Sequence, residues 1–148
     1  MSFIYLASPY THEVAEVRKQ RQLDAELAAS LFMSRGSVIY SPVAHGCAID
    51  KHLPKEASDN HDFWMKQCYG MLDVADALHV LLLDGVSKSK GVRLEIIYAL
   101  KCNLEIVFWF KGFDGKDYVF ERQVNRVGFK AMGFQEFTAW QPIKDWIP

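Results

Sequence analysis

The segment Ala77–Cys102 constrains the fold of this chain most strongly, because a strand, a short loop and a helix follow one another within it. The apolar run Ala77–Leu83 has the length and composition of a buried strand. A loop rich in serine, lysine and glycine follows, and helical periodicity then predicts a helix over Val92–Cys102 that carries Glu95 near its start. Because helix amides and the helix dipole attract negative charge, we predict an anion-binding site here. We also expect the same helix start to keep Glu95 ionised.

The rest of the chain alternates strands with helices in the same way. The predicted strands are Ser2–Ala7, Ser37–Val43, Ala77–Leu83 and Leu104–Phe110, and the predicted helices are Glu13–Arg35, His61–Val74, Val92–Cys102 and Tyr118–Arg126. Strands separated by helices pair in parallel through right-handed crossovers. We therefore predict an α/β protein, a single-domain flavodoxin-like three-layer sandwich with a mainly parallel sheet of four to five strands. Residues 1–110 form its core, and residues 111–148 form a C-terminal extension.

Local signals define the first long helix in more detail. Leu23, Leu27 and Leu31 recur every four residues, with Ala28 and Phe32 beside them, and predict its buried face. Gly36 is expected to end the helix. The predicted N-terminal caps of the first two helices are Thr11 and either Ser58 or Asp59.

Composition limits the classes of partner. The chain has 148 residues, of which 50% are hydrophobic, and its formal net charge is -1. A chain without a concentrated basic face is not expected to bind nucleic acid or an anionic membrane surface, and no apolar run has transmembrane length. Cys47, Cys68 and Cys102 lack the spacing of a metal site and read as reduced thiols, so we expect a cytoplasmic protein. We expect no metal and no cofactor.

The loops that follow the first three strands are expected to meet at one edge of the sheet. In parallel sheets, ligands bind outside the carboxyl ends of the strands. These loops are Ala7–Thr11, Pro42–Gly46 and Asp84–Gly91. Their candidate binding residues are Ser8, Tyr10, His45, Asp84, Ser87, Ser89 and Lys90.

Four motifs together resemble a known family. They are IYLASPY from Ile4, SPVAHG from Ser41, the pair Ala75-Asp76, and SKGVRLEIIYAL from Ser89. Over roughly the first 110 residues the chain resembles the nucleoside 2-deoxyribosyltransferase superfamily. Within it, the likeness is greatest to a branch of small uncharacterised bacterial members and to the deoxynucleoside 5′-monophosphate N-glycosidases.

The resemblance implies roles for individual residues. It implies that Glu95 is the nucleophile and that Tyr5 touches it. At the position of Ser89 the transferases have an aspartate that binds sugar hydroxyls, whereas the monophosphate hydrolases have a serine that binds the 5′-phosphate. Cys68 is a departure, because both branches have an aspartate there.

The resulting hypothesis is an N-glycosidase acting on a small-molecule nucleotide or nucleoside. Its catalytic residues would be Glu95, Tyr5 and Asp84, and its substrate-binding residues would be Ser8, Tyr10, His45, Ser89, Lys90 and Gly91. Each of three residues also has a purely structural interpretation. Ser89 could simply cap a helix, Tyr5 could be a core residue of a buried strand, and Asp84 could close a turn with Gly85. Alternative functions are deoxyribosyl transfer, cleavage of another N-glycoside such as NAD, non-catalytic nucleotide sensing, and an interaction module.

The C-terminal tail predicts self-association. Phe134, Phe137, Trp140 and Trp146 lie in a segment too short to bury them alone. Exposed aromatic clusters commonly mark contact surfaces. We therefore predict a homodimer or a higher homo-oligomer in which this tail packs on a neighbouring subunit.

Overall fold

The computed structural model describes residues 3–111 and 118–124. Its strands are β1 (Ile4–Ala7), β2 (Ile39–Tyr40), β3 (Ala77–Leu81), β4 (Glu105–Lys111) and β5 (Tyr118–Val124). Its α-helices are α1 (Ala15–Ser34), α2 (Pro42–Asp50), α3 (Lys55–Ser58), α4 (His61–Leu72) and α5 (Lys90–Lys101), and a 3₁₀ turn spans Val86–Lys88.

The described strands form one sheet in the order β2-β1-β3-β4-β5. β1 pairs in parallel with both β2 and β3, and β3 pairs in parallel with β4, whereas β5 is antiparallel to β4. The connection from β1 leads to β2 on one side of it, whereas the connections from β2 to β3 and from β3 to β4 lead across the sheet in the opposite direction. Right-handed crossovers then place α1 on one face of the sheet and α4 and α5 on the other. The predicted flavodoxin-like α/β architecture is confirmed.

Each face of the sheet has its own apolar cluster. The cluster on the α1 face contains Leu6, Ala28, Phe32 and Leu81, with Trp109 packed against it. The cluster on the face of α4 and α5 contains Tyr5, Leu72, Leu78, Val80, Ile96 and Leu100. Successive residues of β1 and β3 therefore alternate between the two clusters, as the pleat of a strand requires.

The buried face of α1 agrees only in part with the predicted one. Ala28 and Phe32 are buried and Leu31 packs against their cluster, as predicted. Leu23 and Leu27, however, are 48% and 41% exposed, and Ala25 is buried instead. The predicted cap is also wrong, because α1 follows Val14, which makes no side-chain cap hydrogen bond. Gly36 ends the helix as predicted, with a φ of 95° that favours glycine.

The segment after β2 is helical where we predicted strand and loop. α2 begins at Pro42, and Ser41 accepts a hydrogen bond from the Ala44 amide. Proline at the first helical position and serine before it are both favourable for a helix start. The polar connection that follows contains the short helix α3, and Asn60 caps α4 in place of Ser58 or Asp59.

The predicted helix over Tyr118–Arg126 is wrong, because Tyr118–Val124 is the strand β5. It begins with Tyr118, Val119 and Phe120, aromatic and β-branched residues that favour a strand, and it pairs with β4. The aromatic tail on which the oligomer prediction rests lies outside the described residues. Within the described part of the chain, no helix has both the length and the apolar character needed to cross a membrane.

Candidate active site

The start of α5 places Glu95 beneath an exposed turn of backbone. Ser89 caps the helix, since its hydroxyl accepts a hydrogen bond from the Val92 amide at 3.2 Å. The Arg93 amide donates to the Ser89 carbonyl, so the helix itself supplies no acceptor for the amides of Lys90 and Gly91. Glu95 lies one turn further on and leans back toward them, with Oε1 4.0 Å from where a Cβ of Gly91 would be.

Burial dominates the electrostatics of Glu95. The residue is only 5% exposed. Burial raises the pKa of its carboxyl to about 7, and the nearby Tyr5 hydroxyl opposes that rise. Burial therefore acts against the expected ionisation of Glu95, because a buried site disfavours the charged form of a carboxyl. At neutral pH the carboxyl exchanges between its ionised and protonated forms.

Among the described residues, three buried side-chain oxygen atoms have no hydrogen-bond partner. They are Tyr5 Oη, Ser8 Oγ and Glu95 Oε2. All three belong to residues that the sequence placed in the site. Tyr5 is fully buried and Ser8 is 5% exposed. Because leaving a buried polar group unpaired costs free energy, such groups need an explanation, and ligand binding is one.

Cys68 lies beside this group. Its side chain, on α4, packs against the same cluster as Tyr5. Burial, and then the charge of Glu95, raise the pKa of the Cys68 thiol to about 11. Burial, Glu95 and Cys68 together raise the pKa of the Tyr5 hydroxyl well above its ordinary value. The Tyr5 hydroxyl is thus close to both neighbours, although it makes no hydrogen bond of normal geometry to either.

Tyr40 is a site residue that the sequence reasoning missed. It pairs in register with Tyr5 across β1 and β2, and the two rings lie 5.6 Å apart. Burial, then Cys68 and Glu95, raise the pKa of Tyr40 to about 12. The His45 ring lies 5.6 Å from Tyr40 on its other side. The signal that could have revealed Tyr40 is its position at the end of the second strand, level with Tyr5 on the first.

The other predicted site residues, except Ser8, are more exposed than Glu95 and Tyr5, as residues at the rim of a site would be. His45 and Lys90 are exposed, and Tyr10 is half-buried. Asp84 is exposed, and its carbonyl, rather than its carboxylate, accepts a hydrogen bond from Arg21 at 3.0 Å. Arg21 also donates to the Thr11 carbonyl at 2.8 Å, so it ties the loop after β1 to the loop after β3.

Comparison with known proteins places the sequence in a family. A family model described as a domain of unknown function (DUF1937) matches residues 2–111. The chain belongs to this family. The match contains all of the candidate site residues, and it ends at Lys111, the last residue of β4. A comparison with curated proteins finds no match.

A groove of about 620 Å³ adjoins the site in this DUF1937 domain. It runs between α4 and α5 and is lined by His61, Asp62, Met65, Lys66, Tyr69, Gly70, Asp73, Lys90 and Leu94. Glu95 is not among these lining residues. Tyr69 connects the groove to the site, because Cys68 and Glu95 contribute, after burial, to raising the pKa of its hydroxyl. The groove therefore lies beside the carboxyl rather than around it.

Proposed function

We propose that this protein is an N-glycosidase that hydrolyses the base–sugar bond of a nucleoside or deoxynucleoside 5′-monophosphate, with Glu95 as nucleophile. The observation that carries the proposal is that Glu95 Oε2, one turn into a helix with a capped start, and the neighbouring Tyr5 Oη are both buried and have no hydrogen-bond partner. The resemblance to the nucleoside 2-deoxyribosyltransferase superfamily, carried by the motifs around Tyr5 and Glu95, supports the same reading.

In the proposed complex, the 5′-phosphate binds at the start of α5. The amides of Lys90 and Gly91 donate to phosphate oxygens, and the helix dipole adds to the attraction. The Ser89 hydroxyl accepts from the Val92 amide, so its own proton remains available to donate to the phosphate. Lys90 is exposed and adds a positive charge at the same place. Ser8, Tyr10 and His45 supply further contacts at the rim.

The reaction then proceeds at the anomeric carbon. A Glu95 carboxylate oxygen attacks C1′ while the C1′–N bond breaks and its electron pair leaves with the base, which takes up a proton. Carboxylates suit this step because the transition state is oxocarbenium-like and positively charged. Water then attacks C1′ of the glycosyl-enzyme while the bond from C1′ to the Glu95 oxygen breaks, and the water proton returns to the group that protonated the base. The sugar phosphate leaves and the Glu95 carboxylate is restored. The Tyr5 hydroxyl orients the carboxyl in both steps, and Asp84 or His45 at the rim supplies the proton for the base.

The test is incubation of the full chain with mixed deoxy- and ribonucleoside monophosphates, with free base followed by chromatography. We expect release of base by the wild type and a loss of at least about a thousandfold in Glu95→Ala and Glu95→Gln. Glu13→Gln is the matched control, because Glu13 is exposed and lies before α1. Unchanged turnover in either Glu95 variant would remove Glu95 as nucleophile, and binding of nucleotide without turnover would favour a sensor.

Two broader features complete the proposal. The free cysteines Cys47, Cys68 and Cys102 suit a cytoplasmic protein. The exposed leucines Leu23 and Leu27 provide apolar surface for a homo-oligomer. Sedimentation at micromolar concentration tests the second point, and a monomer there would contradict it.

A further inference from the structure

Arg21 joins two of the loops that carry the candidate site residues. It lies on α1 and is half-buried. Its guanidinium donates to the carbonyls of Thr11 and Tyr10, at 2.8 and 3.5 Å. It also donates to the carbonyl of Asp84 at 3.0 Å. One charged fork, the Arg21 clamp, therefore holds the loop after β1 and the loop after β3, which leave adjacent strands of the sheet.

On the β1 side, a stiff segment connects the Arg21 clamp to the site. Ser8 directly follows β1, and its hydroxyl is buried without a hydrogen-bond partner. Pro9 separates Ser8 from Tyr10, and this proline is fully buried and has a fixed backbone angle φ. Because few backbone bonds can rotate between them, the position of the Tyr10 carbonyl governs where the Ser8 hydroxyl lies.

On the β3 side, the connection to the site is equally short. A 3₁₀ turn over Val86–Lys88 leads from the clamp to the start of α5. The Ser89 amide donates to the Val86 carbonyl at 3.0 Å, and Val86 itself is buried. The turn and the helix start therefore form one hydrogen-bonded unit. It links the Asp84 carbonyl to Ser89, the residue that caps α5 and precedes the proposed phosphate-binding amides.

Gly85 shows how closely the Arg21 clamp is packed. Its φ of 81° lies in the left-handed region that favours glycine. A Cβ at this position would lie 2.5 Å from Nη2 of Arg21, which is closer than non-bonded carbon and nitrogen atoms approach. Any larger residue at position 85 would therefore push the guanidinium away from the Asp84 carbonyl. Substitution of Gly85 thus breaks the clamp without changing Arg21.

We propose that Arg21 is a positioning residue that fixes Ser8 relative to Ser89, so that one nucleotide can touch both loops. The inference rests on the proposed function, in which the phosphate binds at the start of α5 and Ser8 supplies a further contact. Inorganic phosphate needs the start of α5 alone, whereas a nucleoside monophosphate spans both loops. Loss of the clamp should therefore weaken binding of the nucleotide and spare binding of inorganic phosphate.

The experiment compares Arg21→Met and Arg21→Lys with Lys19→Met in the full chain. Methionine removes every donor, whereas lysine keeps the charge but has one nitrogen in place of the two that hold the two loops. Lys19 is exposed on the same helix, so Lys19→Met controls for the lost charge. Titrations with deoxynucleoside monophosphates and, separately, with inorganic phosphate give Kd values from changes in amide chemical shifts.

We expect both Arg21 variants to raise the Kd for the nucleotide roughly tenfold and to leave the Kd for inorganic phosphate within about twofold. Lys19→Met should change neither value. Unchanged nucleotide binding in either Arg21 variant would overturn the proposal; in Arg21→Lys it would show that charge alone suffices. An equal loss of nucleotide and phosphate binding would also overturn it, because Arg21 would then act on the phosphate or on folding.

A second measurement needs no ligand. Hydrogen exchange of the full chain, followed by mass spectrometry, reports opening of residues 8–13 and 84–89. We expect exchange in both segments to rise at least about tenfold in Arg21→Met and to stay unchanged in Lys19→Met. Absence of nucleotide binding by the wild type would contradict the proposed function. Faster exchange in Arg21→Met would still support positioning of the two loops by Arg21, and unchanged exchange would overturn it.

If Arg21→Met fails to fold, Gly85→Ala breaks the Arg21 clamp from the other side. Gly36→Ala is its matched control, because Gly36 also has a positive φ, of 95°, but a Cβ there would have no heavy atom within 4 Å. Both variants introduce the same kind of backbone strain, and only Gly85→Ala displaces Arg21. Gly85→Ala alone should therefore weaken nucleotide binding relative to phosphate binding, and an equal effect of the two variants would overturn the proposal.

Discussion

On the α1 face of the sheet, His79 Nδ1 accepts a hydrogen bond from Trp109 Nε1 at 2.8 Å, and the buried Asp24 accepts one from Gln20. On the opposite face, Tyr5 and Glu95 each have a buried polar atom without a hydrogen-bond partner. Both faces have well-packed apolar clusters, so the difference concerns polar groups alone. One face thus pairs these polar groups, whereas the other leaves polar atoms unpartnered at a cost in stability, a difference that the proposed ligand site would explain.

The two faces also respond to pH in opposite directions. Burial lowers the pKa of His79 to about 4, whereas burial raises that of Glu95 to about 7. The unfolded chain takes up a proton at His79 before the folded protein does, so acid weakens the α1 face. The unfolded chain loses the Glu95 proton before the folded protein does, so alkali weakens the other face.

Replacing Glu95 with glutamine should produce the largest change in the free energy of unfolding among the variants that test the contrast between the two faces. The free energy of unfolding of the wild type, relative to Glu95→Gln, should be highest below about pH 4.5 and should fall as the pH rises through about 7. The expected change is roughly 3 kcal/mol, since each pKa unit corresponds to about 1.4 kcal/mol. Urea unfolding at pH 4 and pH 8 measures it.

The exposed Glu13→Gln variant serves as control, and its difference from wild type should vary little over the same range. A pH-independent difference between Glu95→Gln and wild type would show that the buried carboxyl ionises normally. The contrast between the two faces would then fail.

Two aromatic substitutions, one on each face, test the next largest difference in the free energy of unfolding. Trp109→Phe removes a donor that has a partner and leaves His79 Nδ1 unpaired, so we expect a loss of about 1–2 kcal/mol. Tyr5→Phe removes a hydroxyl that has no hydrogen-bond partner, so we expect a change below about 0.5 kcal/mol. Chemical denaturation of both variants at pH 6 gives the two values.

A double-mutant cycle of Trp109→Phe with His79→Phe separates the hydrogen bond from the packing of the indole. We expect a coupling energy of about 1 kcal/mol. Equal losses in Tyr5→Phe and Trp109→Phe would mean that the Tyr5 hydroxyl is paired in solution, and the two faces would no longer differ.

The same comparison explains what the sequence could predict. Strand and helix order followed from apolar runs and periodicity, because these patterns are local, and β1, β3 and α5 lie close to the predicted bounds. The buried face of α1 was predicted only in part, because the fourfold spacing of leucines gave weight to Leu23 and Leu27, whereas Ala25, a weakly hydrophobic residue, is buried in their place. α2 was missed because Ser41-Pro42 was assigned to a strand rather than to a helix start.

The site could be predicted only in part. Glu95 was singled out by its place near the start of the helix after a strand and a loop, and Tyr5 through motif resemblance; the structure brings the two together on one face of the sheet. The protonation of Glu95 could not be predicted, because it depends on desolvation by residues from β1, β2 and α4 that are distant in sequence. For the same reason Tyr40 was missed, since its contact with Tyr5 depends on strand register.

Gly91→Ala should have only a small effect on stability, and it sharpens the comparison on the side of the proposed ligand. A Cβ at this position would lie 4.0 Å from Glu95 Oε1, which is an ordinary contact, so the variant should fold. Alanine favours a helix over glycine by up to about 1 kcal/mol, so thermal unfolding should show a small gain. The added methyl group narrows the approach to the carboxyl, and base release should fall on the order of tenfold.

Gly70→Ala is the matched control for this substitution, because Gly70 lies within α4 and a Cβ there would have no heavy atom within 4 Å. It should give a similar gain in stability, since the helix propensity changes in the same way, and should leave base release unchanged. If Gly91→Ala kept wild-type base release, the sugar would not approach Glu95 over the start of α5. The unpartnered atoms on this face would then need another ligand geometry to explain them, because their cost in stability would remain.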